Sequence, residues 1–294
     1  MDQVLLQFTA RETDEGRFLR DFLQRSKGIS RRLLIRAKYS GDIQVNGETV
    51  YVTYKLKAGD VITITLDEEE SETLAPEPMP LDIRYEDDDV LLIAKPAGLV
   101  VHPTGMHLSG TLANGVVAYW QSKGENRKFR PVSRLDRDTT GLILIAQNQW
   151  AHDQFSRMQK ERTMKRTYQA VVHGVVEADE GVIHAPIGRK ETSIIEREVR
   201  EDGQEAITHY KVLARGDDRT LVQLQLETGR THQIRVHMAY LGHPLLGDDL
   251  YGGSMEELER QALHAYRLEF VHPRTGEQME FVEAMPEDMV RVLP

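Results

Sequence analysis

The spacing of apolar residues changes several times along the chain, and each change marks an element. Phe18, Leu19, Phe22 and Leu23 recur at helical spacing, and Gly28 supplies a stop. Ser30 is placed to cap a second helix carrying Leu33, Leu34 and Ala37 and ending near Gly41. The period then falls to two. Ile43 and Val45 alternate, Asn46-Gly47 makes a hairpin turn, Val50 and Val52 resume, and Gly59-Asp60 turns into an apolar strand at 61–64. Two helices on a small sheet are predicted for residues 11–66.

From residue 81 a larger unit is predicted. Ile83 and Tyr85 alternate. Residues 90–94 and 142–146 are unbroken apolar runs, stopped by Lys95-Pro96-Ala97-Gly98 and opened by Gly141. Runs this short read as buried strands. Ser109 is a candidate cap for a helix with Leu112, Val116, Tyr119 and Trp120 inward, and Asn148 for one with Ala151, Phe155 and Met158 inward. Residues 165–172 alternate as a strand with Tyr168, Ala170 and Val172 on one face, and 221–226 form another strand. Thr231 is the expected N-cap of a helix with Ile234, Met238 and Leu241 on one stripe, ended by Gly242. Strand-like pieces follow near 268–271 and 279–282. Without a regular βαβ period, the predicted fold class is α+β: a mixed, largely antiparallel sheet flanked by helices over 81–294, plus the small N-terminal α+β module.

Residues 67–80 separate the two, with repelling acids and three prolines that predict an extended, solvated linker. Composition bears on partners. The net charge of −10 opposes nucleic acid at first sight, but residues 67–89 hold eleven acids against Arg84, the whole of that charge. Residues 17–38 hold eight cations against Asp21 alone. A partner meets a local field, so a basic face is compatible with an acidic chain. With no cysteine, disulfides and thiolate metal sites are excluded. No basic leader or membrane-length apolar run occurs, so a cytoplasmic, soluble protein is expected, away from membranes.

Phosphate-cradling, dinucleotide and zinc-protease motifs are missing, and no cofactor or metal is expected. His232 and His237 are five apart, about 140° round a helix, and do not share a face. Asp136, between Arg134 and Arg137 at the mouth of the second apolar run, stands out. By itself Asp136 to Gly141 reads as turn chemistry, and Asp138 fits that role by bonding nearby amides. Asp136 fits it less well. A desolvated carboxylate stays charged only beside a cation, and Arg235 can supply one. The bland alternatives are a solvent-facing Arg235 and a core Tyr168.

Ser133-Arg134-Leu135-Asp136-Arg137-Asp138-Thr139-Thr140-Gly141-Leu142 resembles the signature of the RluA-type family of pseudouridine synthases. Lys95-Pro96-Ala97-Gly98-Leu99-Val100-Val101-His102-Pro103, Lys165-Arg166-Thr167-Tyr168, Thr228-Gly229-Arg230-Thr231-His232-Gln233-Ile234-Arg235, Leu263-His264-Ala265 and His272-Pro273-Arg274-Thr275-Gly276-Glu277 resemble further blocks, in order, over about residues 81–285. Ser133 and Thr140 stand where His and Ser are common. Residues 11–66 resemble the RNA-binding module of ribosomal protein S-four, chiefly through Arg17-Phe18-Leu19-Arg20, Val45-Asn46-Gly47 and Gly59-Asp60.

The resemblance implies an isomerase that turns uridine into pseudouridine without a cofactor. Asp136 would be the catalytic aspartate, Tyr168 would pack on the target base, and Arg235 would hold Asp136 ionised. Arg134 would help flip the uridine and fill its place. Arg17, Arg20, Arg31, Arg32, Arg36 and Lys38 would bind RNA. Ribosomal large-subunit RNA is the first expected substrate and transfer RNA the second, acted on by a monomer. The competing readings are a catalytically silent RNA-binding protein and a two-carboxylate hydrolase.

Overall fold

The computed structural model describes residues 3–67, 74–105 and 108–294. Its first part is a small antiparallel sheet of β1 (Gln3–Thr9), β2 (Gly41–Val45), β3 (Glu48–Thr49) and β4 (Val61–Asp67), in the order β1-β4-β2-β3. Asn46 and Gly47 sit at φ 54° and 84°, the left-handed pair that a two-residue hairpin requires. Asn46 also donates to Asp60 at 2.8 Å and accepts from the Val61 amide, tying this turn to the next. A short helical turn, α1 (Leu19–Asp21), continues as a wider coil over Phe22–Ser26. In α2 (Arg31–Ser40), Ser30 accepts from the Leu33 amide as its cap. Leu33, Leu34 and Ala37 of α2 pack with Ile43, Val45, Ile62 and Ile64.

The second part is a nine-stranded mixed sheet. Its strands are β5 (Ile83–Glu86), β6 (Val90–Lys95), β7 (Thr140–Ala146), β8 (Lys165–His173), β9 (Glu180–His184), β12 (Ile207–Arg215), β13 (Arg219–Leu226), β14 (Leu263–Val271) and β15 (Gln278–Val282); a separate ribbon pairs β10 (Ile187–Arg189) with β11 (Arg197–Val199). Its path is β5-β6-β7-β14-β8-β13-β12-β9, with β15 on β14. Among these pairs only β7 and β14 run parallel, touching at His264 opposite Thr140 and Ala265 opposite Gly141. The expected α+β class with a mixed, mainly antiparallel sheet is what the chain adopts.

Both faces of the sheet's centre are covered, which explains the unbroken apolar runs. Leu91, Ile93, Ile143 and Ile145 face α3 (Leu112–Ser122), while Val90, Leu92, Leu142 and Leu144 face α4 (Gln149–Lys160). The α5 helix (Gln233–Tyr240) lies on the α3 side, where Ile234 and Met238 join Tyr168, Ala170, Val222 and Leu224. Among the described residues no helix is long and apolar enough to cross a membrane.

Two local expectations need correction, and a third is sharpened. The cap of α3 is Thr111 rather than Ser109, because Thr111 and Asn114 form a reciprocal capping box. The cap position of α5 is His232 rather than Thr231; it is left-handed, at φ 56°, and its side chain is engaged elsewhere. Of the 67–80 linker, residues 68–73 lie outside the described residues. The remainder is extended but held. Ala75 and Glu77 exchange hydrogen bonds with Asn114 at 2.8 and 3.1 Å, and Met79 covers Gly115. Prolines keep this strap from pairing as a strand, while its few free backbone groups find the start of α3.

The small sheet packs on α4. The Trp150 indole donates to the Lys27 carbonyl at 3.1 Å, Gln154 donates to that of Gly28 at 3.0 Å, and Phe8 meets Trp150 edge-on.

Candidate active site

The loop from Ser133 to Thr139 leads into β7 at the line where β7 and β14 meet. Gly141 has φ 105°, and a Cβ there would lie 2.3 Å from the Ala265 carbonyl oxygen, so only glycine lets the strands approach this closely. The loop is held almost residue by residue. The Asp136 carbonyl accepts from the Thr139 amide at 3.2 Å and closes the turn. The Arg137 carbonyl accepts from the Lys95 ammonium at 2.7 Å, and the Asp138 carbonyl from Arg260 at 3.2 Å. Thr139 accepts from Gln261, and Thr140 Oγ1 lies 2.9 Å from His264 Nδ1. Among the described residues no backbone amide bonds the Asp138 carboxylate, contrary to expectation. It takes the Arg137 guanidinium at 2.9 Å instead, because the main-chain bond already closes the turn.

Lys95 is buried at 2% exposure, and its amine also donates to the carbonyls of Pro96 and Leu99. Burial pulls this amine down to about 7, against the pull of the Asp138 and Asp136 carboxylates.

Asp136 faces α5. Arg235 Nη1 donates to Asp136 Oδ2 at 3.2 Å across 99 positions of sequence. The other edge of the same guanidinium forms a two-bond pair with Asp248, Nε to Oδ2 at 2.8 Å and Nη2 to Oδ1 at 2.7 Å. The Asp248 side chain is fully buried, and the Asp136 side chain is 27% exposed. One arginine therefore joins a sealed carboxylate to an open one. Burial opposes the Arg235 charge, but the bonds to Asp248 and Asp136 outweigh it and push the guanidinium upward, so it stays ionised. Tyr251 covers the guanidinium with its ring centroid 5.0 Å away, and its hydroxyl lies 2.8 Å from His232 Nδ1. His232 Nε2 in turn lies 3.9 Å from Asp136 Oδ2. Burial lowers the His232 imidazole more than Asp136 raises it.

Tyr168, on β8, pairs in register with Leu224 and Ala265 and is buried. Burial, opposed by the Arg166 charge, raises its hydroxyl further from ionisation. Arg134 is exposed. Among the described residues no group of three His, Asp or Glu side chains is placed to hold a metal ion. His237, buried behind the site, bonds Thr208 and the Ala185 carbonyl.

Residues 89–240 match the model of the RNA pseudouridylate synthase family, just over half of the chain. The chain belongs to this family of RNA pseudouridine synthases. It is 52% identical over 268 residues to the RNA pseudouridine synthase YjbO of Bacillus subtilis strain 168, covering 90% of this chain and 95% of that protein. It is 41% identical to the ribosomal large subunit pseudouridine synthase D of Vibrio cholerae serotype O1, covering 90% and 86%. Among solved structures, the human RNA Pseudouridylate Synthase Domain Containing 1 protein superposes with a TM-score of 0.58 at 29% identity, over 71% of this chain and 86% of that one. The RluA-type family expected from the ordered blocks is the family found, and the synthase is an isomerase acting on RNA.

Of the residues singled out in the sequence, Asp136 and Arg235 are brought into direct contact in the synthase. Tyr168 feels the charge of Asp136. Arg17, Arg20, Arg31, Arg32, Arg36 and Lys38 lie apart from them on the N-terminal module. Arg20, Arg31, Arg32 and Lys38 are exposed there, whereas Arg17 is paired with Asp14 at 2.8 Å. Three residues packed around Asp136 and its loop escaped the sequence reading: Asp248, Tyr251 and Lys95 as a support of the loop. The trace that Asp248 leaves in sequence is Gly247, whose φ of 71° and close approach to the Arg260 carbonyl mark a built turn instead of a free loop.

Proposed function

We propose that this synthase isomerises specific uridines of large-subunit ribosomal RNA, with Asp136 as the reacting carboxylate. The observation that carries the assignment to Asp136 is its 3.2 Å contact with an arginine whose Nε and Nη2 are locked on the buried Asp248. The ribosomal substrate is favoured by the likeness to large-subunit synthases over most of the chain.

The reaction is an isomerisation. The bond from ribose C1′ to uracil N1 breaks, the uracil turns, C1′ joins C5, and the C5 proton is lost while N1 gains one. No electron is exchanged. Asp136 reacts at the ribose–uracil unit, and Arg235 holds its carboxylate in place through the 3.2 Å contact. Tyr168 packs against the base, and burial holds its hydroxyl away from ionisation. A base in a helix is out of reach of Asp136, so the nucleotide must leave the stack. Exposed Arg134 enters the gap. The N-terminal module, with its S-four-like sequence and its cations on α2, grips RNA away from the reacting nucleotide. The two-carboxylate hydrolase is disfavoured, because Asp248, the acid that shares Arg235 with Asp136, has both oxygens committed to that arginine.

Asp136→Asn is the test. Pseudouridine formation in ribosomal RNA is expected to vanish while RNA binding persists. Full activity in this variant would remove Asp136 from the chemistry. Mapping pseudouridine across cellular RNA with and without the gene checks the substrate. Loss confined to transfer RNA would replace the ribosomal assignment.

A further inference from the structure

A second cleft opens between the end of α4, the start of β8 and the end of β13. It measures about 240 Å³ and is lined by Gln159, Arg162, Met164, Lys165, Arg166, His209, the last two residues of β13 and Glu227 just after it. Three permanent cations face one carboxylate there, Glu227. That carboxylate pairs with Arg162 and lies 2.6 Å from His209 Nε2. Arg162 and Lys165 are exposed, and Arg162 holds a left-handed φ of 58°. A non-glycine residue in that conformation carries strain that its surroundings must sustain.

Arg166 links this cleft to the active site. It lies two residues before Tyr168 on the same strand and lines a narrower cleft with Ser133 and Tyr168. One Nη reaches the Thr228 carbonyl at only 3.5 Å, while its Nε is buried with no hydrogen-bond partner among the described residues. A buried donor of a charged group is costly to leave unpaired, so an arriving acceptor is the simplest way to satisfy it. Gln159 ties the far wall to the Val132 carbonyl, next to Ser133. The cleft is smaller than the roughly 300 Å³ at which small-molecule pockets begin. It suits one group of a longer chain better than a free metabolite.

We propose that this cleft holds a phosphodiester of the substrate RNA, beside the nucleotide presented to Asp136. The inference rests on the RNA synthase reading. Arg162 and Lys165 meet the phosphate from solvent, and Arg166 reaches it from the side of Tyr168. Glu227 balances the cations while the cleft is unfilled.

The test uses the full chain and in-vitro-transcribed large-subunit ribosomal RNA. The double variant Arg162→Ala/Lys165→Ala should raise KM about tenfold with kcat retained. It should also flatten the dependence of log affinity on log salt by about one for each phosphate no longer neutralised. Glu227→Gln should move binding the other way, towards tighter and more salt-sensitive association. A merely structural ion-pair cluster would instead lose thermal stability in both variants with the salt slope unchanged, and that result would overturn the proposal. Arg166→Gln gives a third reading, since it should raise KM more than it lowers kcat. Inorganic phosphate should compete no better than chloride at equal ionic strength. Strong competition by phosphate that the double variant abolishes would assign the cleft to a free anion instead. If the unmodified enzyme forms pseudouridine and these variants match it in KM and salt slope, the cleft assignment fails alone. If the unmodified enzyme forms none, the functional reading itself fails.

Discussion

The charges around Asp136 and those on the N-terminal module are held in opposite ways. Each nitrogen of the Arg235 guanidinium donates to a carboxylate, of Asp136 or Asp248, and the group lies under the Tyr251 ring. Arg31, Arg32 and Lys38 stand in water on α2, with Leu33, Leu34 and Ala37 anchoring the helix beneath them. The first arrangement fixes one atom at one place and is intolerant of loss, because each group left behind is an unpaired charge. The second spreads a field that salt can screen, and each member adds a little. Under the function proposed, chemistry uses the first kind of charge, and gripping a polyanion uses the second.

The comparison breaks first at Arg235. Arg235→Leu strands Asp248 in the interior and Asp136 at the mouth, at a cost of about 3–5 kcal/mol for breaking such a pair. Activity should fall by at least about a hundredfold, read as single-turnover pseudouridine formation, with a matching loss in urea unfolding. Wild-type turnover with intact folding would refute the pairing. Asp248→Asn keeps the shape and removes the charge. It should lower kcat by roughly tenfold or more while leaving KM near its original value, since Arg235 loses its orientation. A change in KM alone would make Asp248 a binding residue instead.

A smaller effect is expected at Lys95, through pH. Unfolded, this lysine keeps its proton to about 10.4; folded, burial lowers it to about 7. Between those values the unfolded chain binds more protons, so the Lys95 contribution to stability rises with pH and is lost as pH falls through 7. The stability difference between the wild type and Lys95→Met should therefore shift in the wild type's favour from pH 7 to pH 9. A flat difference would mean that the folded ammonium persists throughout. The smallest effect belongs to the module. Arg31→Ala, Arg32→Ala and Lys38→Ala should each weaken RNA binding by about 1 kcal/mol or less and reduce its salt slope by about one. An unaltered slope would make this face a solvated surface.

Much of this was legible in sequence because it follows from local rules. Ser30 and Asn148 were placed to cap helices and do so, and Asn46-Gly47 turns where its left-handed preference requires. The apolar runs announced buried strands, and the signature placed Asp136 at the mouth of one. What stayed hidden depends on distant partners. Nothing in Leu246-Gly247-Asp248-Asp249 says which acid is buried, since only packing against α5 decides it. His232 looked like a residue inside a helix that Thr231 would cap. Its bonding to Tyr251 places it left-handed at the entry instead. The proline content of 74–80 marks an extended strap but carries no trace of the Asn114 side chain that donates to its Ala75 carbonyl.

The parallel contact between β7 and β14 also has a consequence in time. His264, which faces Thr140, is made 124 residues later. At about 5–20 residues per second a ribosome needs roughly 6–25 s to cover that distance. Until then the Asp136 loop lacks Arg260, Gln261, His264 and the whole of β14. The nascent chain is thus born with Asp136 uncovered and its surroundings unassembled, and the loop gains its partners only once β14 has been made.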